Sequence, residues 1–264
     1  MPIKVAISGI GKMSQEVLAA VCRDPDLEPV AVVSRSVTED SIVLPGGSVS
    51  VPSFSDPQRL LGTIKPDVLV DFTNADWTPQ VSSLAIDAGV RLVIGTSALP
   101  DSFIDDLKVR CEEEKLGAVV AANFAVGATL MIYLARIMGR FFDSAEIIEM
   151  HHEKKVDAPS ATSLATARSL VEGRGGPFEE LFSDGAAMAK SRGDKSEGVV
   201  IHSVRLPGLV AHQELVLGGP GETLTLRHDT VDRTSFMPGV CLSIREVMKR
   251  DELVIGLEKL IGLA

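Results

Sequence analysis

Two histidines and two lysines lie within five consecutive positions of the segment EMHHEKKVDAPSAT, residues 149–162. His151 and His152 end a predicted strand, so their side chains point to opposite faces and one of them can face a cleft. Lys155 follows four residues after His151. The segment can therefore present an imidazole and an ammonium group to one negatively charged ligand, a combination suited to proton transfer.

The same segment continues into a helix start that adds hydrogen-bond donors. Asp157-Ala-Pro-Ser is typical of a turn, and Ser160 is a typical N-cap for the helix predicted over 160–173. The first amides of that helix, at Ala161 and Thr162, have no acceptor within the helix and suit an anion. The Thr162 hydroxyl is a further donor.

Other interpretations of these residues stay open on sequence alone. HHEKK is also typical of a solvated charged loop. We predict no metal, since no cysteine and no second spaced acid–histidine set accompanies the histidine pair. Apolar or alternating strands surround His202, His212 and His228, which favours structural roles for them. Arg233 is compatible with a cofactor contact or with a cleft-lining position.

A second candidate for chemistry is the glycine-rich turn near the start of the chain. The strand-like run IKVAISG, residues 3–9, leads into this turn and then into a helix predicted over 12–24. Glycines there let the backbone approach a pyrophosphate, and the helix N-terminus adds amide donors. Its place in an alternating βα pattern favours dinucleotide binding over a plain tight turn. The predicted contacts are Gly9, Ile10, Gly11, Lys12 and Met13, and Ser14 replaces the third glycine of the usual fingerprint.

The end of the second predicted strand indicates which dinucleotide is bound. A site selective for NAD usually places an acid there, whereas this chain has Ser34 and Arg35. A hydroxyl followed by a guanidinium suits a 2′-phosphate, because arginine binds phosphate through a fork of donors. The sequence therefore favours NADPH over NADH, with a solvated loop arginine as the alternative.

Two further loops follow predicted parallel strands, at the edge where open α/β sheets bind ligands. Asn123 could hydrogen-bond a carboxamide, and ordinary loop structure is the alternative. The residues concerned are Gly95, Thr96 and Ser97 in the first loop and Ala121, Ala122, Asn123 and Phe124 in the second.

The elements that must position these residues alternate in type over the first half of the chain. Apolar strands alternating with helices indicate a parallel sheet covered on both faces. Residues 36–66 are predicted to be loops with one short strand, SVSVPSF. After about residue 125 a long apolar helix and further strands, with a hairpin turn at 218–221, indicate a mixed α+β second domain. The tail, 238–262, is predicted to be helical.

Composition narrows the class of protein. The chain of 264 residues has a net charge of −10, which argues against nucleic acid as a main partner. Three widely spaced cysteines favour a reducing compartment. No apolar run reaches membrane-spanning length, and the first residues resemble a strand rather than a signal peptide. We therefore expect a cytoplasmic protein with neither a membrane nor a nucleic-acid partner.

Taken together, these motifs resemble the dihydrodipicolinate reductase family, whose members reduce 4-hydroxy-tetrahydrodipicolinate in lysine and diaminopimelate biosynthesis. The resemblance runs almost end to end. It rests above all on E-x-HHEKKVDAPSAT, with support from GIGKM, DFT, VIGTS, AANFAVG and RLPGLVAHQELVLGGPGETLTLRHD.

The resemblance implies an α/β fold in which a Rossmann-like parallel-sheet dinucleotide-binding domain carries an inserted smaller α+β mixed-sheet domain. It implies a dinucleotide-binding domain over 1–124, a substrate-binding and oligomerisation domain over 125–236, and C-terminal helices over 237–264 that return to the first domain. It also implies a homotetramer.

The resemblance further implies roles for individual residues. His151 is the acid/base histidine and Lys155 the proton donor. Contacts with a small dicarboxylate substrate fall on His152, Lys155, Ser160, Ala161 and Thr162. Cofactor contacts, with NADPH or NADH, fall on the glycine turn, Ser34 or Arg35, and the two loops after later strands.

Two departures from the family pattern are visible. Ala161 stands where the family usually has glycine, so its methyl group limits φ and crowds the carboxylate pocket. Ser14 stands after Met13, and the glycine loop is one residue short. A reductase of a related imino or keto acid, or a dinucleotide-sensing module without turnover, are the alternative functions.

Overall fold

The chain divides into two compact units in the computed structural model, which describes residues 1–179 and 192–263. Unit 1 consists of Met1–Phe124 and Phe236–Ala264, and unit 2 of Ala125–Ser235. The binding roles assigned to the two predicted domains stay predictions.

Residues 180–191, which belong to the predicted second domain, lie outside the described residues. In the described part of the chain, no helix is both long and apolar enough to cross a membrane.

Unit 1 is built on a sheet in which the strand order is β13-β7-β6-β5-β1-β2-β4-β3. All neighbouring pairs are parallel except β3 and β4. The order reverses at β1, which is the position where such sheets bind ligands. The strands are β1 (Ile3–Ser8), β2 (Leu27–Val33), β3 (Ser41–Val43), β4 (Ser50–Phe54), β5 (Val68–Asp71), β6 (Arg91–Ile94), β7 (Ala118–Val120) and β13 (Leu253–Ile255).

The helices of unit 1 cover this sheet because its central strands are apolar on both faces. All four residues of β5 are buried, as are the last four of β1. Trp77, Leu92 and Leu107 belong to the same core. The helices are α1 (Lys12–Arg23), α2 (Pro57–Thr63), α3 (Thr78–Asp87), α4 (Asp101–Glu114) and α7 (Met237–Val247).

Three elements of unit 1 differ from the sequence-based expectation. The segment 36–66 contains β3 and α2 in addition to the predicted strand, and Asp56 caps α2 by accepting from the amide of Gln58. The tail was predicted to be helical throughout, but after α7 it adds β13, whose backbone pairs with β7. A three-residue strand is too short for a periodic pattern, so only its partner defines it.

Unit 2 is a mixed sheet with two helices on one face. Strand order is β12-β11-β8-β10-β9, with β8 and β10 parallel and the other pairs antiparallel. The predicted hairpin turn joins β11 to β12. The elements are α5 (Val126–Met138), β8 (Ser144–His151), α6 (Ala161–Arg174), β9 (Asp194–Ser196), β10 (Val199–Arg205), β11 (Ala211–Gly219) and β12 (Glu222–Thr230), followed by a 3₁₀ turn, Arg233–Phe236, whose last residue belongs to unit 1.

The two helices of unit 2 approach each other closely at glycines. A Cβ added to Gly173 would lie 1.7 Å from the carbonyl oxygen of Arg136, and one added to Gly139 would lie 2.2 Å from that of Leu170. The helix over 160–173 was predicted to end near Gly173, but Gly175, at φ +81°, is its C-cap. Gly173 is therefore a packing position inside α6.

Candidate active site

The glycine turn of unit 1 contains one position that only glycine can occupy. Gly9 has φ +99°, and an added Cβ would lie 2.7 Å from Oγ of Ser14 and 2.8 Å from Cγ2 of Thr73. Its amide donates to the carbonyl of Val33 at 2.7 Å, which joins the ends of β1 and β2. The backbone is thus held where a ligand can approach the end of β1.

The start of α1 is suited to an anion. Gly11 is the N-cap and has no side chain to bond the first amides of the helix. Ser14 is buried and donates from its hydroxyl to the carbonyl of Ser8 at 3.2 Å. Ser14 therefore fits where the usual fingerprint has a glycine, and the uncapped amides of the first turn fit a pyrophosphate.

Arg35 is exposed, and its guanidinium has two partners in unit 1. Its guanidinium carbon lies 4.6 Å from the centroid of the Trp77 ring, and Nη2 donates to Oε1 of Gln80 at 2.9 Å. Trp77 is itself fixed, because its Nε1 donates to Oγ of Ser8 at 2.8 Å. Ser34 is less exposed and lies beside Arg35 at the end of β2.

Asp71, at the end of β5, organises the loops on both sides of it. This fully buried carboxylate accepts from the hydroxyls of Thr73 at 2.8 Å, Thr78 at 2.5 Å and Thr96 at 2.9 Å. Thr96 also accepts from the amide of Thr73 at 3.1 Å. The predicted cofactor residue Thr96 therefore has a buried side chain whose role is to join two loops.

Aromatic packing fixes the loops after β6 and β7. A Cβ on Gly95 would lie 2.0 Å from Cε1 of Phe72, so the ring requires glycine there. The rings of Phe72 and Phe124 have centroids 5.2 Å apart, and Phe124 is buried. Ala122 is exposed, and Asn123 is half-buried with a partner of its own.

The structure brings all predicted cofactor residues to one edge of the unit 1 sheet. Those with buried side chains can reach a ligand only through their backbone. The four groups are Gly9, Ile10, Gly11, Lys12 and Met13 after β1, Ser34 and Arg35 after β2, Gly95, Thr96 and Ser97 after β6, and Ala121, Ala122, Asn123 and Phe124 after β7.

In unit 2, His151 is paired with a buried carboxylate. Nδ1 of His151 lies 2.5 Å from Oε2 of Glu149, and the two residues lie on one face of β8 because they are two positions apart. The Glu149 side chain has no exposed surface. Among the described residues, nothing bonds to Nε2 of His151, which is therefore the nitrogen open to a ligand.

Arg205 and other donors keep Glu149 ionised. Arg205 donates from Nη1 to Oε2 at 2.8 Å and from Nη2 to Oε1 at 2.7 Å, and the amide of Ser160 donates to Oε1 at 3.2 Å. Burial alone would raise the pKa of Glu149, but hydrogen bonds from His151, Arg205 and Ser203 outweigh it and lower the pKa to about 2. The carboxylate is therefore an acceptor at neutral pH.

Lys155 lies in the loop after β8 and is paired within that loop. Its Nζ donates to both carboxylate oxygens of Asp157 at 2.8 Å. The amide of Lys155 donates to the carbonyl of His152 at 3.1 Å, which closes a turn. His152 is half-buried, and no described residue bonds to its ring.

The first residues of α6 differ in whether their polar groups already have partners. The hydroxyl of Ser160 accepts from the amide of Ser163 at 3.2 Å, and its own amide is used by Glu149. The prediction that Ser160 is the N-cap of α6 is confirmed, and its contact with substrate stays a prediction. Ala161 and Thr162 have amides with no acceptor among the described residues. Ala161 has no positive φ, so a methyl group at this position does not strain the backbone.

The remaining histidines have structural partners. His202 lies 2.9 Å from Glu146 and His212 lies 2.7 Å from Asp229. A Cβ on Gly127 would lie 2.5 Å from Cδ2 of His228, and burial lowers the pKa of that imidazole. Across the described ranges, no group of three or more histidine, cysteine or acidic residues could hold a metal ion.

Glu149 and Arg205 are the residues that sequence reasoning missed. Glu149 is the first residue of the segment EMHHEKKVDAPSAT, but the sequence-based prediction gave it no function. Its position could have indicated a function, because Glu149 lies two residues before His151 on a strand and the two side chains share one face. Arg205 lies 54 residues further along the chain, and no spacing in the sequence links it to the histidine.

A parallel sheet with a glycine turn at its first βα junction, in a chain whose second unit carries a buried acid–histidine pair, is typical of α/β NAD(P)-dependent oxidoreductases. Comparison with known proteins narrows this class. The N-terminal profile of dihydrodipicolinate reductase matches residues 3–124, and its C-terminal profile matches residues 124–261. The chain belongs to the dihydrodipicolinate reductase family.

Individual relatives agree with this membership. The chain is 42% identical to 4-hydroxy-tetrahydrodipicolinate reductase of Dehalococcoides mccartyi over 99% of both chains. It is 43% identical to the enzyme of that name from Listeria monocytogenes over 98% of this chain and 100% of the other. A dipicolinate-bound dihydrodipicolinate reductase from a Paenisporosarcina species superimposes with a TM-score of 0.87 at 42% identity, covering 98% and 99% of the two chains.

Proposed function

We propose that this protein reduces 4-hydroxy-tetrahydrodipicolinate to tetrahydrodipicolinate with NAD(P)H, in lysine and diaminopimelate biosynthesis. The hydroxyl and one ring hydrogen leave as water, and one hydride and one proton are added to the ring. The observation that carries the proposal is the cluster in unit 2, where an oriented imidazole, an ammonium group and a helix N-terminus lie in one short segment. Such a cluster suits a substrate with two carboxylates.

The donors of this segment hold the dianion. Lys155 supplies a positive charge, and the amides of Ala161 and Thr162 supply hydrogen bonds with the helix dipole behind them. His152 is a further donor on the same loop. Holding the substrate in one orientation lowers the barrier by itself, because the reacting atoms no longer have to find each other.

Proton transfer belongs to His151 and Lys155. With Nδ1 occupied by Glu149, His151 exchanges a proton through Nε2. Lys155 delivers a proton from Nζ, which hydrogen bonds to Asp157 hold within its own loop. The two groups have separate partners, so each is positioned independently for proton transfer.

The edge of the unit 1 sheet binds the cofactor, which supplies the hydride when bound. The uncapped first amides of α1 and the tight turn at Gly9 fit its pyrophosphate. Arg35, stacked on Trp77 and bonded to Gln80, fits a 2′-phosphate, and we therefore propose a preference for NADPH.

An assay at the reduced-nicotinamide band, 340 nm, tests the function directly. The substrate is generated in situ by the upstream synthase, and NADH and NADPH are compared in parallel. Oxidation that depends on the synthase product supports the proposal. Turnover only with simpler imino or keto acids, or dinucleotide binding without turnover, would replace it by one of the alternative functions.

A substitution of Arg35 tests the proposed preference for NADPH. Arg35→Ala should lower kcat/KM for NADPH about tenfold while that for NADH changes less than twofold, since roughly 1.4 kcal/mol is one charge-assisted contact. Arg59→Ala, an exposed arginine of α2, is the matched control and should leave both unchanged. If Arg35→Ala leaves the ratio of kcat/KM for NADPH to kcat/KM for NADH unchanged, Arg35 does not select the cofactor.

We also propose a cytoplasmic homotetramer that has neither a nucleic-acid nor a membrane partner. The net charge of −10 supports the absence of nucleic acid. The face of the unit 2 sheet opposite α5 and α6 carries the partly exposed apolar residues Ile148, Val204 and Val216, which supports assembly through this face. Light scattering coupled to size-exclusion chromatography measures the mass of the particle in solution. A monomeric mass would contradict the proposed homotetramer.

A further inference from the structure

One guanidinium connects the two proton-transferring groups of unit 2. Arg205 donates to both carboxylate oxygens of Glu149, at 2.8 and 2.7 Å, and Glu149 in turn bonds Nδ1 of His151. Nη2 of Arg205 also donates to the carbonyl oxygen of Asp157 at 2.7 Å. The side chain of Asp157 holds Lys155, so Arg205 touches the partners of both His151 and Lys155.

Strand pairing places Arg205 beside the histidine. The strands β8 and β10 run parallel, with Arg205 opposite His151 and Ser203 opposite Glu149 in the register. All four side chains therefore lie on one face of the sheet. The guanidinium reaches back along this face to Glu149 and sideways to the loop, a geometry that a planar fork of donors can satisfy and a single ammonium cannot.

The bond at Nδ1 decides which nitrogen of His151 reacts. A carboxylate 2.5 Å from Nδ1 requires the proton on that nitrogen, because two acceptors cannot share a hydrogen bond without one. The other nitrogen, Nε2, is then an acceptor in the neutral ring and a donor in the charged ring. Glu149 can do this only while it is held in one orientation.

We propose that Arg205 and Glu149 are positioning residues of the reaction: Arg205 orients Glu149, Glu149 keeps a proton on Nδ1 of His151, and Arg205 anchors the loop of Lys155 through the carbonyl of Asp157. This inference rests on the proposed function for its catalytic consequence. The arrangement of the four groups is independent of which substrate is reduced.

A purely stabilising role predicts a different result. Removing one partner of a buried ion pair leaves the other charge unpaired and lowers stability whatever the role of the pair, so a loss of stability alone does not distinguish the two roles. If the pair were merely structural, variants that remain folded would keep their turnover. If it positions His151 and Lys155, folded variants lose turnover while cofactor binding, which belongs to unit 1, is unchanged.

The test uses Glu149→Gln and Arg205→Lys in the full-length protein. Arg205→Lys keeps the charge but cannot bond both oxygens of Glu149 and the carbonyl of Asp157 together. We expect kcat to fall at least tenfold in both variants, with KM for the dinucleotide within twofold of the unsubstituted protein. Arg227→Lys is the matched control, because Arg227 is an exposed, ion-paired arginine on β12, and it should change kcat less than twofold.

A spectroscopic readout covers the case in which a variant does not fold. The ¹⁵N signals of the His151 ring, assigned by their loss in His151→Gln, should show a protonated Nδ1 in the unsubstituted protein at pH 8. In Glu149→Gln the unprotonated state should appear at Nδ1. An unprotonated Nδ1 in the unsubstituted protein, or folded variants with kcat within twofold, would overturn the inference.

Failure of the proposed function gives a separate result. If the unsubstituted protein does not turn over 4-hydroxy-tetrahydrodipicolinate, the function fails, yet the ¹⁵N signals still decide whether Glu149 sets the protonation of His151. If it does turn over the substrate and the variants match it, the function stands and the positioning role fails.

Discussion

Lys155 and Asp157 form a two-point ion pair within one loop: Nζ lies 2.8 Å from each carboxylate oxygen. The Asp157 side chain is 56% exposed, so water screens the pair and its contribution to stability is small. The hydrogen bond from Lys155 is the main cause that lowers the pKa of Asp157. A ligand carboxylate can therefore take the place of Asp157 at little cost.

Asp157→Asn should strengthen binding of a dicarboxylate. The substitution removes a negative charge beside Lys155, so a dianion meets less repulsion, and at an effective dielectric near 80 the gain is about 1 kcal/mol or roughly fivefold in Kd. Calorimetric titration with pyridine-2,6-dicarboxylate measures it. Glu153→Gln, which removes a charge from an exposed position of the same loop, is the control and should change Kd less. Weaker binding in Asp157→Asn would show that Asp157 mainly orients Lys155.

Lys155→Ala should lower kcat by roughly 10²–10⁴, the usual effect of losing one positioned proton donor. Lys154→Ala removes the same charge one position earlier, where the side chain is exposed, and should leave kcat within about twofold because distant surface charges are screened. Steady-state rates at saturating cofactor compare the two. Near-normal turnover in Lys155→Ala would remove this residue from the chemistry.

Acid should destabilise the protein through Glu149. Its pKa falls from 4.5 to about 2 on folding, so its contribution is fully present above pH 4.5 and is lost as the pH falls toward 2. The shift corresponds to about 3 kcal/mol, of which about 2 is lost between pH 5 and 3. Urea unfolding at pH 5 and at pH 3 measures the free energy of unfolding. In Glu149→Gln this loss should shrink, and equal pH dependence in both proteins would contradict the assignment.

Gly173→Ala should destabilise the pairing of α5 with α6. The added methyl would lie 1.7 Å from the carbonyl oxygen of Arg136, so one helix must move, and we expect a loss of about 1–3 kcal/mol. Gly62→Ala is the opposite case, since no atom lies within 4 Å of the added Cβ on this exposed helical glycine. It should gain about 0.5–1 kcal/mol. Thermal unfolding compares them, and a stable Gly173→Ala would show that the helices separate easily.

Long elements with a clear periodicity were predictable, and short ones were not. The strand before Gly9, the helix capped by Ser160 and the β11–β12 hairpin follow from local patterns that agree with their surroundings. The strands β3 and β13 were missed, because three residues carry no period and their hydrogen bonds come from elsewhere in the chain.

The candidate site shows the same division. His151, Lys155, Ala161 and Thr162 were identifiable because one segment carries them all. Arg205 was not, since its contact with Glu149 exists only after β10 has paired with β8. The contacts of Arg35 with Trp77 and Gln80 were not predictable either, because they form only when the start of α3 lies against the end of β2.

The sequence by itself determined the fold class, the family and the segment that brings His151, Lys155 and the start of α6 together, because periodicity, glycine turns and helix caps act between residues close in the chain. Tertiary structure alone decided that Thr96 is bound to Asp71 and that Arg205 is bound to Glu149 behind His151. These are contacts across strands, and a hydrogen bond across a sheet depends on register, which no local stretch of sequence contains.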